Sequence, residues 1–374
     1  MKDRKSHIQK AKHVVLKLGT KVLLSHFKEP SDEIRQMITD IGMLREKGYQ
    51  FSIVTSGAVG FGMAELGIEV RPTDLKKIQA LASVGQSLLM QKWNELFAEK
   101  GIRTGQILLT YDVIENRKRY LHARDCLRAV LDYGGIPMVN ENDSVAVDEL
   151  KFGDNDTLSA LTAILMDAEL LILFTDIDGV FTKNPHRYEE AERIGFIDQI
   201  DDAILDLIDD KKNDLSIGGM RSKLKAASRS AQMGTGVVIC NGFHPNLRAI
   251  IQGEDIGTFI RPEKKYEKKR KRWIFFNHKI KGKIIIDAGA VKALMHHSRS
   301  LLPGGVIGTE GYFEKGHIVG IYNEEEELIG KGITDYGSQE IEQIKGQHTD
   351  AIKSELGENS RSCEIIHRDN MIVL

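Results

Sequence analysis

The side chains suited to chemistry gather at a few points along this chain, and their types suit the handling of phosphate. Lys17 stands inside an otherwise apolar run, HVVLKLG, where a lysine is costly to bury unless it meets an anion or a carboxylate. The plain alternative is a lysine snorkelling from a strand end, but Gly19 follows and lets a ligand approach the backbone. Ser56-Gly57-Ala58-Val59-Gly60 offers small residues and free backbone N–H groups ahead of a helix, which makes an anion cradle. Taken alone, that stretch reads as an ordinary strand-to-helix turn. A second cradle is Ile217-Gly218-Gly219-Met220, with Arg221, Ser222 and Lys223 opening another helix. Amides and carboxylates cluster at Asn140-Glu141-Asn142-Asp143, at Asp154-Asn155-Asp156 and at Thr175-Asp176. Two lysines, two glycine cradles and several carboxylates fit phosphoryl transfer, a reaction catalysed by positioning and by neutralising charge on the moving group. Asp156 and Asp176 are candidates to orient the lysines or to hold Mg²⁺ indirectly.

The stretch KFGDNDTLSA, Lys151 to Ala160, crowds polarity against a helix with an apolar, helix-spaced run: Leu158, Leu161, Ile164 and Leu165. One aspartate suffices as a helix cap, and Asp154 could serve. Asn155 and Asp156 are therefore expected to face a ligand while the apolar run anchors them. The familiar nucleotide and hydrolase signatures are absent: there is no GxxxxGK[ST], no GxGxxG after a strand, no HExxH and no GxSxG.

These residues need elements to hold them. Candidate strands cover residues 13–19, 50–57, 105–110, 135–141, 170–176 and 236–242, each short and nearly continuous in apolar character, as strands buried on both faces read. Helical segments lie between them, at Ser31–Lys47 and at Asp74–Lys100, where Leu75, Ile78, Leu81, Leu88, Leu89, Trp93 and Leu96 form a stripe read as core packing. The alternation predicts an α/β fold: an open, mainly parallel sheet sandwiched by helices. The clusters then fall beyond the carboxyl ends of the strands, where open α/β sheets bind ligands. The pattern changes near residue 261, with seven basic residues between Lys264 and Arg272, read as a solvated linker ahead of a nucleic-acid patch. Glycine-punctuated short strands follow, as in a small β-barrel. The expected organisation is a catalytic domain over 1–260, a basic linker over 261–281 and a small β domain over 282–374.

Composition sets bounds. The chain has 374 residues, 41% hydrophobic and 28% charged, with a net charge of −2, so no global field points to nucleic acid or membrane. Cys126, Cys240 and Cys363 have neither the number nor the spacing of a disulfide scaffold or zinc site, which suits a cytoplasmic location. No run reaches the length of a membrane span. The basic N-terminus, broken by Lys17, reads as the lead-in to a buried strand, not a signal peptide.

Together the motifs resemble the amino acid kinase family, across nearly the whole chain. VLKLGT is similar to the family's first-strand lysine motif, VTSGAVGFG to its substrate loop, FTDIDGVFTKNP to its nucleotide segment and GGMRSKLKAA to its second lysine motif. The most specific stretches are GQILLT, RYLHARDCLRAVLDYGGIPMVNENDSVA and FGDNDTLSA. GKIIIDAGAVKAL through GHIVGIYN resembles a PUA domain, which among these kinases marks those acting on free glutamate. The resemblance implies ATP-dependent phosphorylation of the glutamate γ-carboxylate, the first step of proline biosynthesis, with Mg²⁺ on the nucleotide and proline as feedback inhibitor. It implies catalytic roles for Lys17, Lys223, Asp156 and Asp176. It implies glutamate binding by Ser56, Gly57, Ala58, Asn142, Asp143, Asn155 and Asp156. It implies ATP binding by Lys17, Thr175, Asp176 and the stretch Ile217, Gly218, Gly219, Met220, Arg221, Ser222 and Lys223, with no protein-held metal. A homo-oligomer, dimer or tetramer, is implied, and RNA binding by the PUA-like part is a further expectation. Two positions depart from the family pattern: Ile217 and Ser222 stand where threonine is usual. Serine keeps the hydroxyl; isoleucine removes one side-chain hydrogen bond to ATP. The nearest rivals are sibling kinases of N-acetylglutamate, aspartate, carbamate or a nucleoside monophosphate, and an RNA-binding protein.

Overall fold

Strand β1 (His13–Leu18) is buried at every position, so it must be covered on both faces. It belongs to an eight-stranded sheet with β2 (Gln50–Val54), β3 (Thr104–Leu109), β4 (Ile136–Glu141), β5 (Leu170–Thr175), β6 (Phe196–Ile197), β7 (Gly236–Asn241) and β8 (Thr258–Ile260). Their order across the sheet is β3-β4-β2-β1-β5-β7-β8-β6. Every neighbouring pair is parallel except β7 with β8. This is the expected mainly parallel sheet; strand bounds lie within one residue of those expected, except that β2 ends three residues early. The short β6 and β8 were not foreseen; two and three residues leave no hydrophobic period to read.

The computed structural model describes residues 2–27, 30–146, 155–185, 187–201, 204–205, 219–263, 271, 273–274, 280–297, 299–347 and 364–373. The chain divides into two units, Met1–Lys265 and Tyr266–Leu374. In the first, helices α1 (Lys2–Lys10), α2 (Thr20–Phe27), α3 (Asp32–Glu46), α4 (Ala58–Glu65) and α5 (Leu75–Ala98) precede β3. Helices α6 (Asp112–Glu115), α7 (Arg117–Asp132), α8 (Asn155–Leu165), α9 (Met220–Gln232) and α10 (Leu247–Gln252) follow it. Caps fix the starts of the two helices read from sequence: the Ser31 side chain accepts from the Ile34 N–H, and that of Asp74 from the Lys76 N–H. The α5 stripe does face the core, where Leu81, Leu89, Trp93 and Leu96 are buried.

Helix α1 was not expected. Of its residues, Ile8 and Arg4 are buried, and the Arg4 guanidinium is held by Asp255 Oδ1 at 3.0 Å. A partner so far along the chain leaves no local sequence signal.

Two glycines bring α4 and α5 into backbone contact. A Cβ on Gly85 would lie 1.8 Å from the Ala58 carbonyl oxygen, and one on Gly62 2.0 Å from that of Leu81. Only glycine fits at either position.

The C-terminal unit holds a five-stranded mixed sheet: β9 (Lys283–Ile286), β10 (Val306–Glu310), β11 (Ile318–Tyr322), β12 (Leu328–Ile333) and β13 (Met371–Val373), ordered β10-β9-β11-β12-β13. Only β9 and β11 pair in parallel. Helices α11 (Ala288–His297) and α12 (Ser338–Ile344) accompany it, and Ile284, Leu294, Phe313, Val319, Ile341 and Ile366 are among its core residues. A cavity of about 660 Å³ in this unit is edged by Asp287, Arg299, His367 and Arg368. Most of the basic run, 264–270 and Arg272, lies outside the described residues.

Candidate active site

Three polar groups assemble at the carboxyl ends of β1, β2, β4 and β5. The first is a buried ion cluster. Lys17, near the end of β1, pairs through Nζ with Asp156 Oδ1 at 2.5 Å. Lys223, in the first turn of α9, reaches Asp156 Oδ2 at 3.2 Å, and Ser222 Oγ donates to the same oxygen at 2.9 Å. Asp156 is 0% exposed, Lys17 6% and Lys223 8%. Burial alone would push the Asp156 carboxyl up. The charges of Lys17 and Lys223, with hydrogen bonds from Lys17 and Ser222, outweigh it and hold the group below the usual carboxylate range. Two cations share one anion, so the cluster carries one net positive charge. Oδ1 has no other hydrogen-bond donor among the described residues.

The second group surrounds Asn155, the first residue of α8. Its Nδ2 lies 2.7 Å from the Thr55 carbonyl oxygen, 2.8 Å from Ser56 Oγ and 2.9 Å from Asn140 Oδ1. Gly57 follows with φ +96°, a left-handed conformation that favours glycine, and starts α4 with no side-chain cap. The first N–H groups of α4, beginning at Ala58, are thus open to an anion. Asn142 and Asp143 are half-buried just beyond β4, with the Asn142 N–H donating to the Leu109 carbonyl at 2.8 Å.

The third group lies at the end of β5. Thr175 Oγ1 donates to Asp176 Oδ1 at 3.1 Å, and Lys21 Nζ meets Asp176 Oδ2 at 3.0 Å. Partial burial pushes the Asp176 carboxyl up, but the hydrogen bond and charge of Lys21, a backbone hydrogen bond and the Thr175 hydroxyl together lower it. Gly219 starts α9 with no side-chain cap, and Met220, Arg221, Ser222 and Lys223 form its first turn. Ile217, Gly218 and Asp154 lie outside the described residues, and with Ile217 goes the hydroxyl departure noted in the sequence.

Two family models match: the amino acid kinase family over residues 12–241 and the PUA domain over residues 282–356. A glutamate 5-kinase of Caldanaerobacter subterraneus subsp. tengcongensis is 42% identical over 363 residues, covering 96% of this chain and 97% of that one. One of Syntrophotalea carbinolica is 39% identical over 371 residues and covers 99% of each. One of Methanosarcina barkeri is 39% identical over the full length of both chains. The chain belongs to the glutamate 5-kinase family. The structure brings Lys17, Lys223 and Asp156 to one place and Ser56 and Asn155 to another; the sequence reading expected Asp156 to orient the lysines or to face the substrate beside Asn155. It gave no separate role to Asn140, Thr55, Lys21 or Gln86. Asn140 was visible as part of the polar run ending β4. The polar spacing Gln79, Ser83, Gln86 on α5 was visible too, but the apolar stripe drew the reading of that helix.

Among the described residues, no three carboxylate, histidine or cysteine side chains converge as a metal site. The buried carboxylate, Asp156, is already shared by two lysines. The described donor set does not fit a protein-built Mg²⁺ cage.

Proposed function

We propose that this chain transfers the γ-phosphoryl group of ATP to the side-chain carboxylate of glutamate, giving γ-glutamyl phosphate at the start of proline biosynthesis. The observation that carries the reading is the sharing of one buried carboxylate by Lys17 and Lys223 at 2.5 and 3.2 Å. A cluster with one surplus positive charge, shielded from water, suits a phosphoryl group in transit. Its two lysines come from opposite ends of the domain sequence and meet at Asp156.

In the proposed reaction a γ-carboxylate oxygen attacks the γ-phosphorus of ATP, forming the new P–O bond as the bond to the β–γ bridging oxygen breaks. The electron pair leaves with ADP. The attacking carboxylate is already ionised at neutral pH, so no general base is needed. Lys17 and Lys223 flank the moving group, and Asp156 keeps both in place. Ser56, Asn155 and the open N–H groups at Gly57 and Ala58 take the substrate carboxylates. Asn142 and Asp143 provide oxygen acceptors for the ammonium, while Asp156, fully buried with both oxygens on the lysines, is committed to the cluster. Thr175, Asp176 and the first turn of α9, from Gly219 through Met220 and Arg221, take the nucleotide. Mg²⁺ brought with ATP would offset part of the nucleotide's phosphate charge.

The family frame also supports proline as feedback inhibitor, a dimer or tetramer, a domain boundary within 261–281 and a cytoplasmic location; no helix among the described residues is long and apolar enough to cross a membrane. RNA binding by the C-terminal unit is a separate proposal, resting on the match of residues 282–356 to the PUA domain model. It predicts an RNA affinity that falls steeply with salt. The deciding assay follows ADP release with glutamate, N-acetylglutamate, aspartate, carbamate or a nucleoside monophosphate as acceptor, with and without proline. Turnover with glutamate alone, suppressed by proline, is expected; turnover with a different acceptor and not glutamate would overturn the reading.

A further inference from the structure

Helix α5 presents polar residues at i, i+4 and i+7 to the segment that ends and follows β4. Gln79 Nε2 donates to the Ala146 carbonyl at 3.0 Å, Ser83 Oγ and Ser144 Oγ meet at 2.9 Å, and Asn140 Nδ2 donates to Gln86 Oε1 at 2.7 Å. Two turns further on, Trp93 Nε1 donates to Thr55 Oγ1 at 3.0 Å. One helix thus braces both chain segments that meet at Asn155.

We propose that Gln86 is a positioning residue for glutamate: it fixes the Asn140 amide, Asn140 fixes Asn155, and Asn155 with Ser56 is thereby aimed at the substrate carboxylate. Donor and acceptor types force the chain in one direction. Asn140 Oδ1 accepts from Asn155 Nδ2 at 2.9 Å, so the Asn140 NH₂ must find an acceptor on its other side. Gln86 Oε1 is that acceptor. The same constraint turns the Gln86 NH₂ away, and its Nε2 is buried with no partner among the described residues. A buried donor left unpaired is costly and rare, and such local costs are tolerated at functional sites. Without Gln86 the Asn140 amide loses one of the two contacts that hold it unflipped, leaving only the one to Asn155. Flipped, it would set NH₂ against the NH₂ of Asn155. Held as it is, Asn155 donates to Ser56 Oγ, and the Ser56 hydroxyl proton remains for the substrate carboxylate.

The inference rests on the glutamate-kinase reading, which wild-type turnover of glutamate tests on its own. The experiment is a double-mutant cycle on the full chain, with Gln86→Met, Asn140→Ala and the pair. Gln86→Met should raise KM for glutamate about 5- to 10-fold, the worth of one lost neutral hydrogen bond, while kcat and KM for ATP stay within about twofold. In the Asn140→Ala background the same substitution should add less than about twofold, because its route of action is gone. A glutamate KM unchanged in Gln86→Met overturns the inference. So do effects that multiply in the double variant, which would mean that Gln86 touches glutamate directly. Gln86→Ala replaces Gln86→Met if the latter does not fold; failure of both to fold would make Gln86 structural and also overturns it.

Discussion

Replacing Asp156 by asparagine keeps the shape of the buried cluster and removes its one negative charge. Lys17 and Lys223, 6% and 8% exposed, are then left as two cations facing an amide. Removing one partner of a buried ion pair costs about 3–5 kcal/mol, because the remaining charge has neither water nor a counterion. Here two charges are stranded by one substitution. With a urea slope of about 3 kcal/mol per M, the unfolding midpoint of the first unit should fall by about 1 M or more. Trp93 reports that unit: it is fully buried in its core, and Trp273→Phe removes the only other indole. Acid adds a second signature. The folded Asp156 carboxyl lies below its ordinary value, so its stabilisation is complete above the unfolded pKa of about 4 and is lost as pH falls through the folded value. The gap between wild type and Asp156→Asn should therefore be widest near neutrality and close in strong acid. Equal midpoints near neutral pH, or a gap that persists unchanged through acid, would refute the assignment of Asp156 as the counterion of both lysines.

Other outcomes follow from the same geometry. Lys17→Ala and Lys223→Ala should each lower kcat by about 10²-fold or more while glutamate KM moves much less, since charge neutralisation acts on the transition state; steady-state kinetics at saturating ATP decides, and wild-type turnover in either removes its role. Asp143→Ala should raise glutamate KM about tenfold or more through loss of an ammonium acceptor, and an unchanged KM excludes it as a ligand. Gly85→Ala puts a methyl 1.8 Å from the Ala58 carbonyl oxygen, so α4 must move. It should cost about 1–3 kcal/mol in thermal or urea unfolding and weaken glutamate binding, because Ser56–Ala58 moves with α4. An equally stable variant with wild-type glutamate KM would show that the two helices separate freely.

Much of this was legible in the chain before its structure. Lys17 stood out because a charge interrupts an apolar strand, and the strand ends drew the polar clusters to one edge of the sheet. What spacing could not show was pairing across distance. Asp156 meets Lys17 and Lys223 from 139 and 67 residues away, and Arg4 meets Asp255 across most of the first unit. The three polar residues of α5 were hidden for another reason. Half-exposed glutamine and serine on a helix read as solvated surface until a partner segment is laid against them.

The position of β1 has a consequence for how such a site can change. Lys17 sits in register with Val54 of β2 on one side and Leu173 of β5 on the other. Under the proposed roles, the strands on the β2 side carry what reads the acceptor, and those on the β5 side carry what reads the nucleotide. Only β1 and the start of α8 are common to both. A chimera exchanging residues 50–146 together with Asn155 for those of a sibling kinase should inherit a new acceptor and keep its phosphoryl donor. The sheet is divided along one strand into two separately editable halves, with the shared lysine on the line between them.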